Sequence, residues 1–194
     1  VLNAYADAEL LVFEIAPEQL QSPDLGNIML QSATLPAEQS LQGLLPEKTW
    51  LSLLRWQKDN PDKPLASLQR LKPWYAALII ANTQSKSQGS EPELGLDQPF
   101  MTQAKSARKP RTGLEQMQPQ IDLFNTMQPA AQLELLQEAL QETGKPRNGE
   151  LEQLREIWKE GDARKLESIT VTKMQREYPE LYQSINVQRN QAWL

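Results

Sequence analysis

The 194 residues include no cysteine and no histidine. The first absence removes disulfides, thiolate nucleophiles and cysteine-based zinc sites. The second removes Ser-His-Asp chemistry, imidazole bases and imidazole metal ligands from this chain. Chemistry supplied by the chain itself therefore rests on carboxylates, Lys, Arg, Tyr or hydroxyls. An excess of basic charge is also missing: 20 Lys and Arg stand against 25 Asp and Glu, for a net charge of -5 and a pI near 5.0. That balance argues against a nucleic-acid backbone as the main partner. No stretch is apolar enough for a transmembrane span. The opening "VLNAYADAEL" has neither a basic leader nor a long apolar core, and a start on Val rather than Met points to a trimmed chain.

What is present is a globular composition, 39% hydrophobic, in a length that suits one sizeable core and a single domain over 1–194. The run "ELLVFEI" (9–15) reads as a strand buried on both faces, as in a parallel sheet. Helices punctuated by prolines follow. "LPAEQSLQGLL" (35–45) and "LPEKTWLSLLRWQKD" (45–59) each carry Pro near the first helical position, where its missing N–H costs little. "LKPWYAALIIANTQ" (71–84) is the most apolar helix and the expected centre of the core, starting at Pro73.

Residues 85–93 read as an exposed Ser- and Gly-rich loop, and the segment "LGLDQPFMTQAKSARK" that follows reads as a short helix. "KPRTGLEQ" (109–116) reads as a short strand. The segments "MQPQIDLFNTM", "PAAQLELLQEALQET" and "GELEQLREIWKEGDARKLESI" read as helices, with a polar break at 143–149, and a last helix starts near Pro179. No fixed-period repeat or sustained heptad occurs. The expected class is α/β, predominantly helical, with a small parallel sheet.

Four positions stand out. Glu14 is the last polar residue of the first strand, and in open α/β sheets ligands bind beyond the carboxyl ends of strands; the competing reading is a solvated or ion-paired edge carboxylate. Glu115 repeats the arrangement after Gly113, with a dipole-favoured helix N-terminal Glu as its alternative. Asp97 is placed to cap the helix that follows it, and Gly95 beside it makes no phosphate-cradling motif. In a helix starting near Pro179, positions 182, 185, 189 and 193 share one face, so Arg189 interrupts an apolar stripe between Ile185 and Trp193. Either its stem packs and its head reaches water, or it forms a buried pair with Glu14 or Glu115, with Asn190 adding amide hydrogen bonds. The five Trp residues are assigned to packing, and the basic run "KSARKPR" (105–111) to a solvated loop.

At these residues the sequence resembles the TraB/GumN family, which includes the Tiki proteases. The resemblance lies in an ordered set spanning most of the chain: "AYADAELLVFEI", "LQRLKPWYAALII", "ELGLDQPFMTQAKSARKPRTGLEQMQPQIDLF", "IWKEGDARKLE" and "YPELYQSINVQRNQAW". It implies a fold distantly similar to the erythromycin-esterase-like hydrolases, and metal-dependent hydrolysis, with peptide or protein substrates for the Tiki members; many bacterial members have no established substrate. Glu14 matches the acid ending the first motif's strand, Asp97 the acid of the "GLD" segment, Glu115 that of "GLE", and Arg189 and Asn190 the "RN" pair. By this match Glu14, Glu115, Arg189 and Asn190 are the expected catalytic residues and Asp97 a binding residue.

The resemblance also implies a divalent metal held by two Gly-x-x-His segments flanking this region, and an extracytoplasmic or membrane-associated location. Neither segment occurs here, so no metal ligand is assigned within the chain. The expectation is a family domain seen without its two flanking strands, the helix of Arg189 leading into one of them. The alternative is a homologue that lost these motifs and serves as a non-catalytic binding or regulatory module.

Overall fold

The computed structural model describes residues 2–87, 97–141 and 148–191. It is mostly helical with one small parallel sheet, as the sequence leads one to expect. Helix α1 (Leu2–Asp7) leads into strand β1 (Leu11–Ile15), which pairs in parallel with β2 (Arg111–Glu115). In register, Leu11 faces Arg111, Phe13 faces Gly113 and Ile15 faces Glu115. Pleat alternation sends Phe13 and Ile15 into the protein, while Val12 is 52% and Leu114 58% exposed. This corrects the expectation of burial on both faces: among the described residues, the helices cover one face only.

Two short helices, α2 (Pro17–Leu20) and α3 (Leu25–Ala33), follow β1. The stretch 35–45 is helical only over α4 (Leu41–Leu44). Ser40, itself extended, caps α4 by accepting from Gly43 N at 3.2 Å. The stretch before it turns at 37–38, with Gln39 N donating to Pro36 O, and is held by Arg70, whose guanidinium donates to the carbonyls of Leu35, Ala37 and Gln39. A distant arginine therefore satisfies carbonyls that a helix would have paired locally.

Helices α5 (Glu47–Asp59), α6 (Leu65–Leu68) and α7 (Pro73–Ser87) build the main core. Pro73 begins α7 as expected, and α7 extends through 85–87, where a loop was expected; the rest of that loop, with Gly95, lies outside the described residues. Trp74, Ala76, Ala77 and Ile80 of α7 are fully or almost fully buried in one cluster with Leu53 and Trp56 of α5. The small Ala76 and Ala77 permit close approach to α10 (Pro129–Gln141), which adds Leu136, Ala139 and Leu140. Between these come α8 (Asp97–Ser106) and α9 (Met117–Thr126), the latter stacking Phe124 on Trp74 at 5.2 Å between ring centroids.

After α10 the chain forms α11 (Asn148–Glu160) and α12 (Ala163–Glu167). The sequence reads these as one helix; Gly161 breaks it. Its φ of +70° is the left-handed conformation of a helix C-terminus, and Asp162 N donates to Ile157 O at 3.3 Å. The polar break at 143–149 falls largely outside the described residues. A π-helical turn (Ser168–Thr172) leads into α13 (Lys173–Glu177). The last helical stretch comprises α14 (Pro179–Tyr182), a second π-helical segment (Gln183–Gln188) and α15 (Arg189–Gln191). A second apolar cluster of Met127, Ala131, Tyr178 and Leu181, with Phe124, Leu135 and Ile185 beside it, seats this stretch on α10. Phe124 and Leu135 also pack on the main core, so the position of Arg189 is tied to the body of the protein. Among the described residues no helix is long and apolar enough to cross a membrane.

Candidate active site

Parallel pairing brings the carboxyl ends of β1 and β2 to the same side, and with them Glu14 and Glu115. The two belong to opposite faces of the pleat: Glu14 alternates with Val12 on the open face, and Glu115 pairs across to Ile15 on the covered one. Their exposures follow, 49% for the Glu14 side chain and 12% for Glu115. Gly113 permits the close approach. A Cβ there would lie 2.4 Å from Ala16 N and 3.0 Å from Ile15 C, inside the backbone that leaves β1.

Arg189 joins the two acids. Its Nη2 donates to Glu115 Oε1 at 2.7 Å and also to Glu14 Oε1, with the guanidinium largely buried. Burial works against the Arg189 charge, but the hydrogen bond to Glu115 and the charges of both carboxylates outweigh it and raise its pKa above the ordinary arginine value. The guanidinium thus stays charged. The π-helical segment just before Arg189 puts an extra residue into the turn, so the face that carries Arg189 is displaced from that of an uninterrupted α-helix.

A further contact was not read from the sequence: Gln120, in α9, donates Nε2 to Glu14 Oε1 at 2.7 Å. The available signal was only positional, since α9 starts directly after the strand that ends in Glu115. Glu14 Oε1 therefore takes two donors, and Oε2 takes none among the described residues.

The surroundings fix these elements. Arg111 pairs with Glu18, Nε to Oε1 at 2.6 Å, linking β2 to α2, and the arginine holds the exposed carboxyl below its usual range together with a backbone hydrogen bond, the larger cause. Gln19 Oε1 accepts from Met117 N at 2.8 Å, filling one of the open donors at the start of α9. Lys109 donates Nζ to the carbonyls of Tyr5, Ala6 and Ala8 at 2.6, 3.0 and 2.8 Å, and lies 4.7 Å from the Tyr5 ring centroid. The basic run read as a solvated loop is therefore partly structural: Lys109 closes the C-terminal end of α1, and Arg111 belongs to β2.

The other expected residues are placed differently. Asp97 is the first residue of α8, is exposed, and lines an open groove with Glu14, Tyr5, Phe13 and Phe100. Asn190 is exposed and makes no side-chain hydrogen bond among the described residues, so it is not brought to the carboxylates. Trp193 lies outside the described residues. As a metal centre the set is incomplete. Carboxylate oxygens suit a hard divalent cation, but no group of three or more His, Cys, Asp or Glu able to hold one occurs among the described residues, and the Arg189 guanidinium already bridges the two acids.

The sequence model of the TraB/PrgY/gumN family matches residues 1–194. No curated protein and no solved structure matches the chain.

Proposed function

Since this chain belongs to the TraB/PrgY/gumN family over its whole length, we propose that it supplies the carboxylate and guanidinium groups of a hydrolase site acting on peptide or protein substrates. The observation that carries the reading is the bridge itself, one arginine holding two strand-end glutamates of unequal exposure. Glu14 is the working carboxylate. Its side chain is 49% exposed, and the oxygen without a donor among the described residues, Oε2, takes the proton from an attacking water, in the role of a general base. Glu115, more deeply buried, is the fixed counterion that keeps Arg189 in place. Arg189 acts by holding both carboxylates, since its Nη2 donates to each of them, rather than by meeting a developing oxyanion. Asp97 lies further along the groove that Glu14 lines and contacts the substrate there.

The metal dependence implied by the family resemblance belongs to the same proposal. The described residues do not complete a metal site, so no step is routed through the ion. Hydrolysis of quenched-fluorescent peptides by the intact protein, with and without added zinc, manganese or cobalt, tests the reading. Turnover that disappears in Glu14→Gln supports it. Tight binding of peptides without turnover supports instead a non-catalytic binding module, the reading favoured by the lack of histidine in the chain.

A further inference from the structure

We propose that Gln120 is a positioning residue, which together with Arg189 fixes Glu14 so that Oε2 is the carboxylate's one open oxygen. This rests on the reading of Glu14 as the working group. An ionised carboxylate only accepts hydrogen bonds. The amide of Gln120 must therefore present Nε2, not Oε1, to Glu14, and its orientation is set by chemistry. With both donors on Oε1, at 2.7 Å from Gln120 and in direct contact from Arg189, rotation of the Glu14 carboxylate would break two charge-assisted bonds at once. Arg189 alone leaves the group free to pivot about a single contact, and Gln120 supplies the second direction.

The helix that carries Gln120 is itself pinned at both ends. Gln19 takes the Met117 N–H at the start of α9, and near its end Lys72 Nζ donates to Asn125 Oδ1 at 2.8 Å while Phe124 stacks on Trp74. Lys72 also holds Ser32 O at 2.7 Å, at the end of α3. A side chain that served only to cover surface would need no such support. The charged groups facing the Gln120 amide are Glu14 on β1 and, through Arg189 on α15, Glu115 on β2; Asp122, on its own helix, is engaged by Gln118.

Two substitutions in the intact protein separate positioning from packing. Gln120→Met keeps the length and removes the donor. Gln120→Glu keeps the shape, and its carboxyl donates an O–H to Glu14 when protonated but repels it when ionised. Peptide turnover by Gln120→Met is expected to fall in kcat by about tenfold to a hundredfold, with KM changed by less than about threefold. The activity of Gln120→Glu relative to wild type is expected to rise as the pH falls, while that of Gln120→Met relative to wild type stays flat.

The melting temperature gives a readout that does not depend on turnover. The carboxyl introduced by Gln120→Glu has its pKa raised by Glu14, so its contribution is present at low pH and lost as the pH rises through the folded value. The Tm of Gln120→Glu should therefore rise relative to that of Gln120→Met by about 2 °C or more toward low pH. A flat Tm difference overturns the proposal, as does wild-type kcat in Gln120→Met. If wild type cleaves no peptide at all, the hydrolase reading fails, and the Tm comparison still decides whether Gln120 holds Glu14.

Discussion

Arg189 and Glu115, 74 residues apart in the chain, meet through a hydrogen bond of 2.7 Å from Nη2 to Oε1 at the carboxyl end of β2. The same nitrogen reaches Glu14, 175 residues away, so one guanidinium connects the first strand, the second strand and the last helix. Loss of Arg189 exposes both acids to each other. Arg189→Met should lower stability by about 2 kcal/mol, seen as a Tm drop of about 4 to 8 °C. Adding Glu115→Gln to that variant should restore part of the loss, because it removes one of the two like charges that Arg189 holds together. A strictly additive double variant would show that the two residues are not coupled.

Gly113 is the position where the strands permit no side chain. Gly113→Ala puts a Cβ 2.4 Å from a backbone nitrogen, which cannot rotate away as a side chain would. A loss of about 1 to 3 kcal/mol is expected in urea unfolding, and unchanged stability would mean that β1 leaves the sheet by another path.

Lys109 holds three carbonyls at the end of α1. In Lys109→Met those acceptors lose a charged donor, and amide hydrogen exchange should speed up in α1 more than in α7 or α10. Equal protection in both proteins would contradict the contact.

Asp162 gives a pH dependence with a definite sign. It caps α12 by accepting from Lys165 N at 3.0 Å, and that backbone hydrogen bond, the largest cause, holds its carboxyl below the ordinary value of 3.8. A depressed folded pKa contributes stability above the unfolded value, and that stability is lost as the pH falls through the lower folded value. Wild type should therefore be more stable than Asp162→Ala at neutral pH, and the two should converge as the pH falls below the ordinary value of 3.8 and through the lower folded one. Chemical denaturation at a series of pH values reads this directly; a gap that persists into acid would rule out the charged cap.

Much of this arrangement was legible in the residues. The unbroken apolar run before Glu14, the Gly-Leu-Glu ending of the second strand and the prolines opening α7 and α14 each mark an element by local chemistry. Arg189 in an apolar stripe asked for a carboxylate, and both available strand-end carboxylates answer it. What escaped the sequence depends on partners distant in the chain or on backbone geometry. Nothing near 35–40 announces that Arg70 will hold its carbonyls, and helical periodicity says nothing of the π-helical segment before Arg189. Gln120 sits in a glutamine-rich stretch where its neighbours look identical; only the fold aims that one at Glu14. One-sided burial of β1 was equally invisible, because an apolar run reports what a residue tolerates and not how many layers cover it.

The most direct test of the account is the rate of peptide hydrolysis by the intact protein carrying Glu14→Gln, measured beside wild type with folding checked by thermal melting. The amide keeps the shape of the side chain and cannot take a proton from water, so turnover should fall by about a hundredfold or more while the protein remains folded. A folded Glu14→Gln protein that cleaves at the wild-type rate would contradict the assignment of Glu14 as the working carboxylate.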